Sequence, residues 1–81
     1  MHERIRKLRK ILDLTQEKFA ERIRIKRNTI ASYETGRNIP VDSVIALICR
    51  EFHVNEEWLR NGIGDMFDPE PEDELKALTE K

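Results

Sequence analysis

Eighty-one residues allow one small domain with a modest core and no large enclosed active site. The formal net charge is −1, but it is split: residues 1–40 hold 11 Lys/Arg against 5 Asp/Glu, and residues 41–81 hold 4 against 11. No apolar run approaches the ~20 residues of a membrane span, Met-His-Glu-Arg leads into no secretory h-region, and the single Cys49 has no internal disulfide partner, which fits a reducing cytoplasm.

The first predicted helix runs from about Glu3 to Leu12. Ile5, Leu8 and Leu12 recur at helical spacing with Ile11 beside them, and Arg4, Arg6, Lys7 and Lys10 take the outer side. Arg9 falls on the apolar stripe, where a charge is expensive unless paired. Asp13-Leu14 makes a turn. A second helix follows, with Thr15 as its N-cap and Glu17 in its first turn. Lys18 stands where a capping box has Glu or Gln. Phe19, Ala20 and Ile23 form its apolar stripe.

A tight connection, Arg24-Ile25-Lys26, leads to a third helix from about Arg27 to Thr35. At 100° per residue, Ile30, Tyr33 and Glu34 share one side, and Asn28, Thr29 and Ser32 lie on the other. Glu34 is thus a second charge on an inner face, and we expect it to pair with Arg9. The outer face carries short hydrogen-bonding side chains with Arg27 at its start. Such a surface suits a DNA groove. Arg27 can reach guanine O6 and N7, Asn28 can reach adenine N6 and N7, and Thr29 and Ser32 can meet a base edge, a thymine methyl or a phosphate. Tyr33 is expected to be half core, with its hydroxyl available to a phosphate. Gly36 fits a left-handed helix end.

The stretch Thr15–Gly36, TQEKFAERIRIKRNTIASYETG, resembles the helix-turn-helix of Cro and phage repressors, the Xre family. The likeness rests on Thr15-Gln16, Phe19-Ala20 and Tyr33-Glu34-Thr35-Gly36, and extends through Pro40, the next helix, Val54, Trp58 and Gly62. It covers roughly Ile5 to Phe67. It implies an Arg–Glu bridge at Arg9 and Glu34. It also implies that Gln16 reaches a phosphate while propping the recognition helix, and that Arg37 and Asn38 lie along the sugar-phosphate backbone and fix register. Two positions depart from the family. Arg24 stands where the tight turn has Gly, and Lys26 stands at an N-cap that is Ser or Thr. Both add positive charge beside the groove-facing helix, and we read them as a trade of local stability for phosphate attraction.

Pro40-Val41-Asp42 opens a fourth helix whose Val44, Ile45, Leu47, Ile48 and Phe52 are apolar nearly all round, so we expect it to be central and buried. Cys49 and His53 lie four apart on it; two ligands are too few for a metal site, and core packing is the simpler role. Val54 plugs the next bend. Asn55 caps a fifth helix that Trp58 and Leu59 anchor. Gly62-Ile63-Gly64 breaks that helix, and no Lys-Ser/Thr follows to make a phosphate loop. Met66 and Phe67 either close over the core or meet a second subunit. Residues 68–81 are acidic, and Leu75 and Leu78 at i, i+3 point to a short helix from Glu72 onwards; the segment is a frayed tail, a dimerisation segment or the start of a longer region.

The expected fold is therefore all-α: a five-helix, lambda-repressor-like domain over residues 1–67 with a short extended C-terminal segment, followed by the acidic tail. No Ser, Cys or carboxylate is spaced with His2 or His53 as a nucleophile and base, so no catalytic residue, metal or cofactor is assigned. The expected function is a cytoplasmic, bacterial or phage-encoded repressor that binds double-stranded operator DNA as a homodimer. The rival is a protein-interaction module or antitoxin-type autoregulator that meets a protein partner through its acidic half.

Overall fold

The computed structural model describes residues 1–68. The expected short helix from Glu72 onwards lies outside them. Five helices follow in order: α1 His2–Ile11, α2 Gln16–Arg22, α3 Arg27–Thr35, α4 Asp42–Phe52 and α5 Glu56–Asn61. Helix α3 packs against both α1 and α2, and α4 packs on α5.

One core joins all five helices. Ile5 and Leu8 from α1, Phe19 from α2, Ile30 from α3, Ile45 and Ile48 from α4, and Leu59 from α5 are completely or almost completely buried. Phe19 and Phe52 stack at 4.8 Å between ring centroids, which ties the end of α4 to α2. The Arg22 guanidinium lies 5.2 Å over the Phe52 ring and bonds Glu51 at 2.8 Å, covering that stack from the solvent side.

The turns follow local chemistry. The Thr15 side chain accepts from the Lys18 amide at 3.1 Å, so half of a capping box operates without its acidic partner. Arg24 adopts φ +60°, a left-handed conformation that costs a residue with a Cβ about 1–2 kcal/mol. Gly36 closes α3 at φ +80° and Gly62 closes α5 at φ +74°, where glycine carries no such penalty.

Three expectations need correction. Arg4 does not face outward: it is half-buried, and its Nε and Nη2 donate to the carbonyls of Leu59 and Arg60 at 2.9 and 2.8 Å. The last carbonyls of a helix lack internal donors, and the guanidinium fork supplies them for α5. Helix α4 is not apolar all round in effect. It buries Ile45, Ile48 and Phe52 on one face and leaves Ala46 and Leu47 exposed. His53 is not a core residue of this helix but its exposed, left-handed cap at φ +57°.

Beyond α5 the chain doubles back. Phe67 forms an antiparallel bridge with Val54, the Asn55 amide donates to the Met66 carbonyl at 2.9 Å, and the Asp68 amide donates to the His53 carbonyl at 2.9 Å. Met66 packs against the core and Phe67 stays partly exposed at the edge of this bend.

Candidate nucleic-acid interface

The inner side of α3 is fixed by an ion pair and its neighbours. Arg9 Nε and Nη2 donate to the two Glu34 carboxylate oxygens at 2.6 and 3.1 Å, while Arg9 Nη1 donates to the Leu14 carbonyl at 2.9 Å. Gln16 Nε2 donates to Glu34 Oε1 at 3.2 Å. The Glu34 side chain is 3% exposed and that of Arg9 is 15% exposed. A buried carboxylate therefore receives three donors from two other segments, which ties α1, the start of α2 and the last turn of α3 together. Gln16 thus reaches α3 from the N-terminal turn of α2.

The outer side of α3 borders a shallow hollow of about 360 Å³ lined by Asn28, Ala31, Ser32, Thr35 and Arg37. Arg27 and Asn28 are exposed, and Thr29 and Ser32 are half-buried. The Ser32 hydroxyl donates to the Thr29 carbonyl at 2.8 Å and accepts from Asn38 Nδ2 at 3.2 Å. The Arg37 and Asn38 amides both donate to the Ser32 carbonyl, at 3.0 and 3.3 Å. Ser32 therefore anchors the loop after α3 and presents little free donor capacity of its own. Tyr33 is more buried than expected, at 8% exposure, and borders a small hollow with Met1, His2, Gly36, Asn38 and Ile39.

Arg24, Lys26, Arg27 and Arg37 are all exposed around this face, and among the described residues none of them makes an ion pair. The Lys26 side chain supplies no cap to α3, and no acidic residue occupies the first turn. The N-terminal amides and the positive end of the helix dipole thus meet an anion only from outside.

Sequence reasoning missed two residues here, Ala31 and Thr35. Both fall on the Asn28 stripe, at i+3 and i+7, so helical spacing alone marks them. It also left Arg6, Lys7 and Lys10 without a role. They line a broad groove of about 930 Å³ that runs beside α1 to Thr35, extending the positive surface away from α3. Cys49 and His53 form no joint site: Cys49 is half-buried on α4, and burial next to Glu56 and Asp68 pushes its thiol up to about 11.

No helix among the described residues is long and apolar enough to cross a membrane. A family model described as a helix-turn-helix domain matches residues 2–65. Two curated relatives are similar. An uncharacterized HTH-type transcriptional regulator, YobD of Bacillus subtilis, is 32% identical over 96% of this chain and 67% of its own length. Antitoxin PezA of Streptococcus pneumoniae is 41% identical over 63% of this chain and 32% of its own length. The chain therefore spans about a third of the antitoxin and about two thirds of the regulator. No solved structure gives a significant match. The matched span takes in all five helices and the bidentate Arg9–Glu34 pair, and the chain belongs to the Xre-type helix-turn-helix family of DNA-binding domains.

Proposed function

We propose that the chain is a transcriptional repressor that reads a palindromic operator as a homodimer. The observation that carries this reading is the start of α3, where Lys26 and Arg27 flank a helix end with no side-chain cap, and where, among the described residues, Arg24 before it and Arg37 beside the outer face make no ion pair. Helix α3 lies in the major groove. Arg27 and Asn28 contact base edges, and Thr29 and Ser32 meet a base edge, a thymine methyl or a phosphate. Ala31 and Thr35 complete that surface. Gln16, Arg24, Lys26, Tyr33, Arg37 and Asn38 contact phosphates and set register. Residues 1–67 form the DNA-binding unit and residues 68–81 an acidic appendage. The protein, bacterial or phage-encoded, acts in the cytoplasm in association with the nucleoid. Repression follows from occluding RNA polymerase.

A two-fold operator would place its half-sites about 34 Å apart, or a multiple of that. Selection of random duplexes on the purified protein tests the reading. We expect a palindrome with that spacing to be enriched. Enrichment of a single half-site would refute the dimer, and no enrichment at low salt would refute sequence reading altogether. A second reading is favoured by the similarity to antitoxin PezA. In it, the chain represses its own promoter and also engages a protein partner through its acidic half. A palindrome together with one stoichiometric protein partner on that half supports it.

A further inference from the structure

The groove beside α1 takes no part in the contacts proposed for α3. Its lining comes from two helices: Arg6, Lys7 and Lys10 of α1, and Glu34 and Thr35 from the last turn of α3. The three α1 cations are exposed, and among the described residues none of them makes an ion pair. Lys7 and Lys10 lie three apart and Arg6 and Lys10 four apart, so they are neighbours on the helix surface. Glu34 does not oppose them as a free carboxylate, because it is buried and held by Arg9 and Gln16. Glu3 is the other acid of the lining, and it is exposed. Three cations without an internal partner thus face one solvated carboxylate.

Two observations join this groove to the outer face of α3. Thr35 borders both the groove and the hollow that holds Asn28, Ala31, Ser32 and Arg37. A Cβ added at Gly36 would meet the His2 ring at 3.2 Å, so α1 begins directly against the C-terminal end of α3. An α-helix with its side chains is about 10–12 Å across, and the major groove of B-DNA is about 12 Å wide. A helix seated there leaves little clearance, and the sugar-phosphate walls lie against whatever flanks it. At Thr35 that flank is the basic row of α1.

We propose that Arg6, Lys7 and Lys10 bind the phosphodiester backbone of one DNA strand beside the half-site read by α3. The inference rests on the reading of α3 as the groove-seated helix and adds a contact surface to it. The three cations break no internal ion pair when a phosphate arrives, and the counterions they release do not depend on base sequence. The row therefore contributes affinity and salt dependence but no sequence preference. The net charge of −1 conceals a positive surface that runs from Arg37 past Thr35 onto α1.

The test is the slope of log affinity against log salt for the full chain on a scrambled duplex of about three helical turns, ~30 base pairs. Lys7→Gln combined with Lys10→Gln should lower that slope by about 2, at about 0.9 per phosphate. Lys7→Arg combined with Lys10→Arg should keep it. Arg50→Gln removes an exposed cation from α4 and should leave it unchanged. Lys7 and Lys10 are exposed, so urea denaturation should not move in any of these variants. An unchanged slope in the Gln pair overturns the proposal. An equal change per charge in Arg50→Gln also overturns it, because net charge alone is then at work, and so does a slope lost in the Arg pair. An affinity ratio near one for selected and scrambled duplexes would instead sink the reading of α3, and it is measured independently of this slope.

Discussion

Helices α3 and α5 are both short, and both end on a left-handed glycine, yet their ends are treated in opposite ways. Helix α5 is satisfied from within. Asn55 Oδ1 accepts from the Glu57 amide at 3.1 Å, Glu56 and Glu57 sit in its first turn, and Arg4 covers its last carbonyls. Its own Arg60 is held by Glu56 at 2.6 Å and Asp42 at 3.0 Å. Helix α3 has none of this at its start: Lys26 offers no cap, and the first turn carries no acid. It is secured instead along its inner side, by Ile30, Tyr33 and the buried Glu34 carboxylate. The difference separates a helix built to close the fold from one whose end and outer face are left for something else. Positive charge at a positive helix end is unfavourable alone and becomes favourable when a phosphate arrives.

Substitutions can break or sharpen this contrast. The largest effect is expected on the inner side of α3. Arg9→Ala leaves a buried carboxylate without its counter-charge and should destabilise the fold by about 3–5 kcal/mol, read from urea denaturation. Next come the base-facing residues. Arg27→Ala or Asn28→Ala should each weaken binding to a selected operator by about 1–3 kcal/mol and relax preference at one base pair, with denaturation unchanged. The helix ends should then respond with opposite signs. Lys26→Ser should stabilise the protein by about 1 kcal/mol while weakening DNA binding, whereas Asn55→Ala should destabilise it by about the same amount. Arg24→Gly should also stabilise, since it removes the left-handed strain. If Lys26→Ser and Arg24→Gly both stabilised without loss of DNA affinity, the electrostatic reading of these residues would fail. The smallest effect is expected from Arg37→Ala. It should weaken all duplexes alike and lower the slope of log affinity against log salt by about 1.

Much of this was legible in the residues. Two charges on two apolar stripes, Arg9 and Glu34, have few ways to avoid burial except to meet each other. Asn55 ahead of two glutamates announces a helix start, and Gly36 and Gly62 announce helix ends. Less was legible where a side chain serves another element. Arg4 belongs to α1 by spacing but bonds the last turn of α5, 55 residues away in the chain. His53 continues the α4 pattern yet takes the left-handed cap, because the chain must turn back for Val54 to plug the core. The exposure of Leu47 was hidden because hydropathy reports what a residue prefers, not whether a neighbour covers it. On the candidate interface, residue type marked Asn28 and Arg27. The internal commitment of Ser32 to Thr29 and Asn38 depends on how the loop after α3 folds back.

The central claim is that the outer face of α3 reads base sequence. Its most direct test is the ratio of affinities for a selected duplex and a scrambled duplex of equal length and composition, at one physiological salt concentration. The expected ratio is about 10³ or more, reduced by about 5- to 150-fold in Asn28→Ala. A ratio near one for the intact chain, or a high ratio that Arg27→Ala and Asn28→Ala leave untouched, would contradict it.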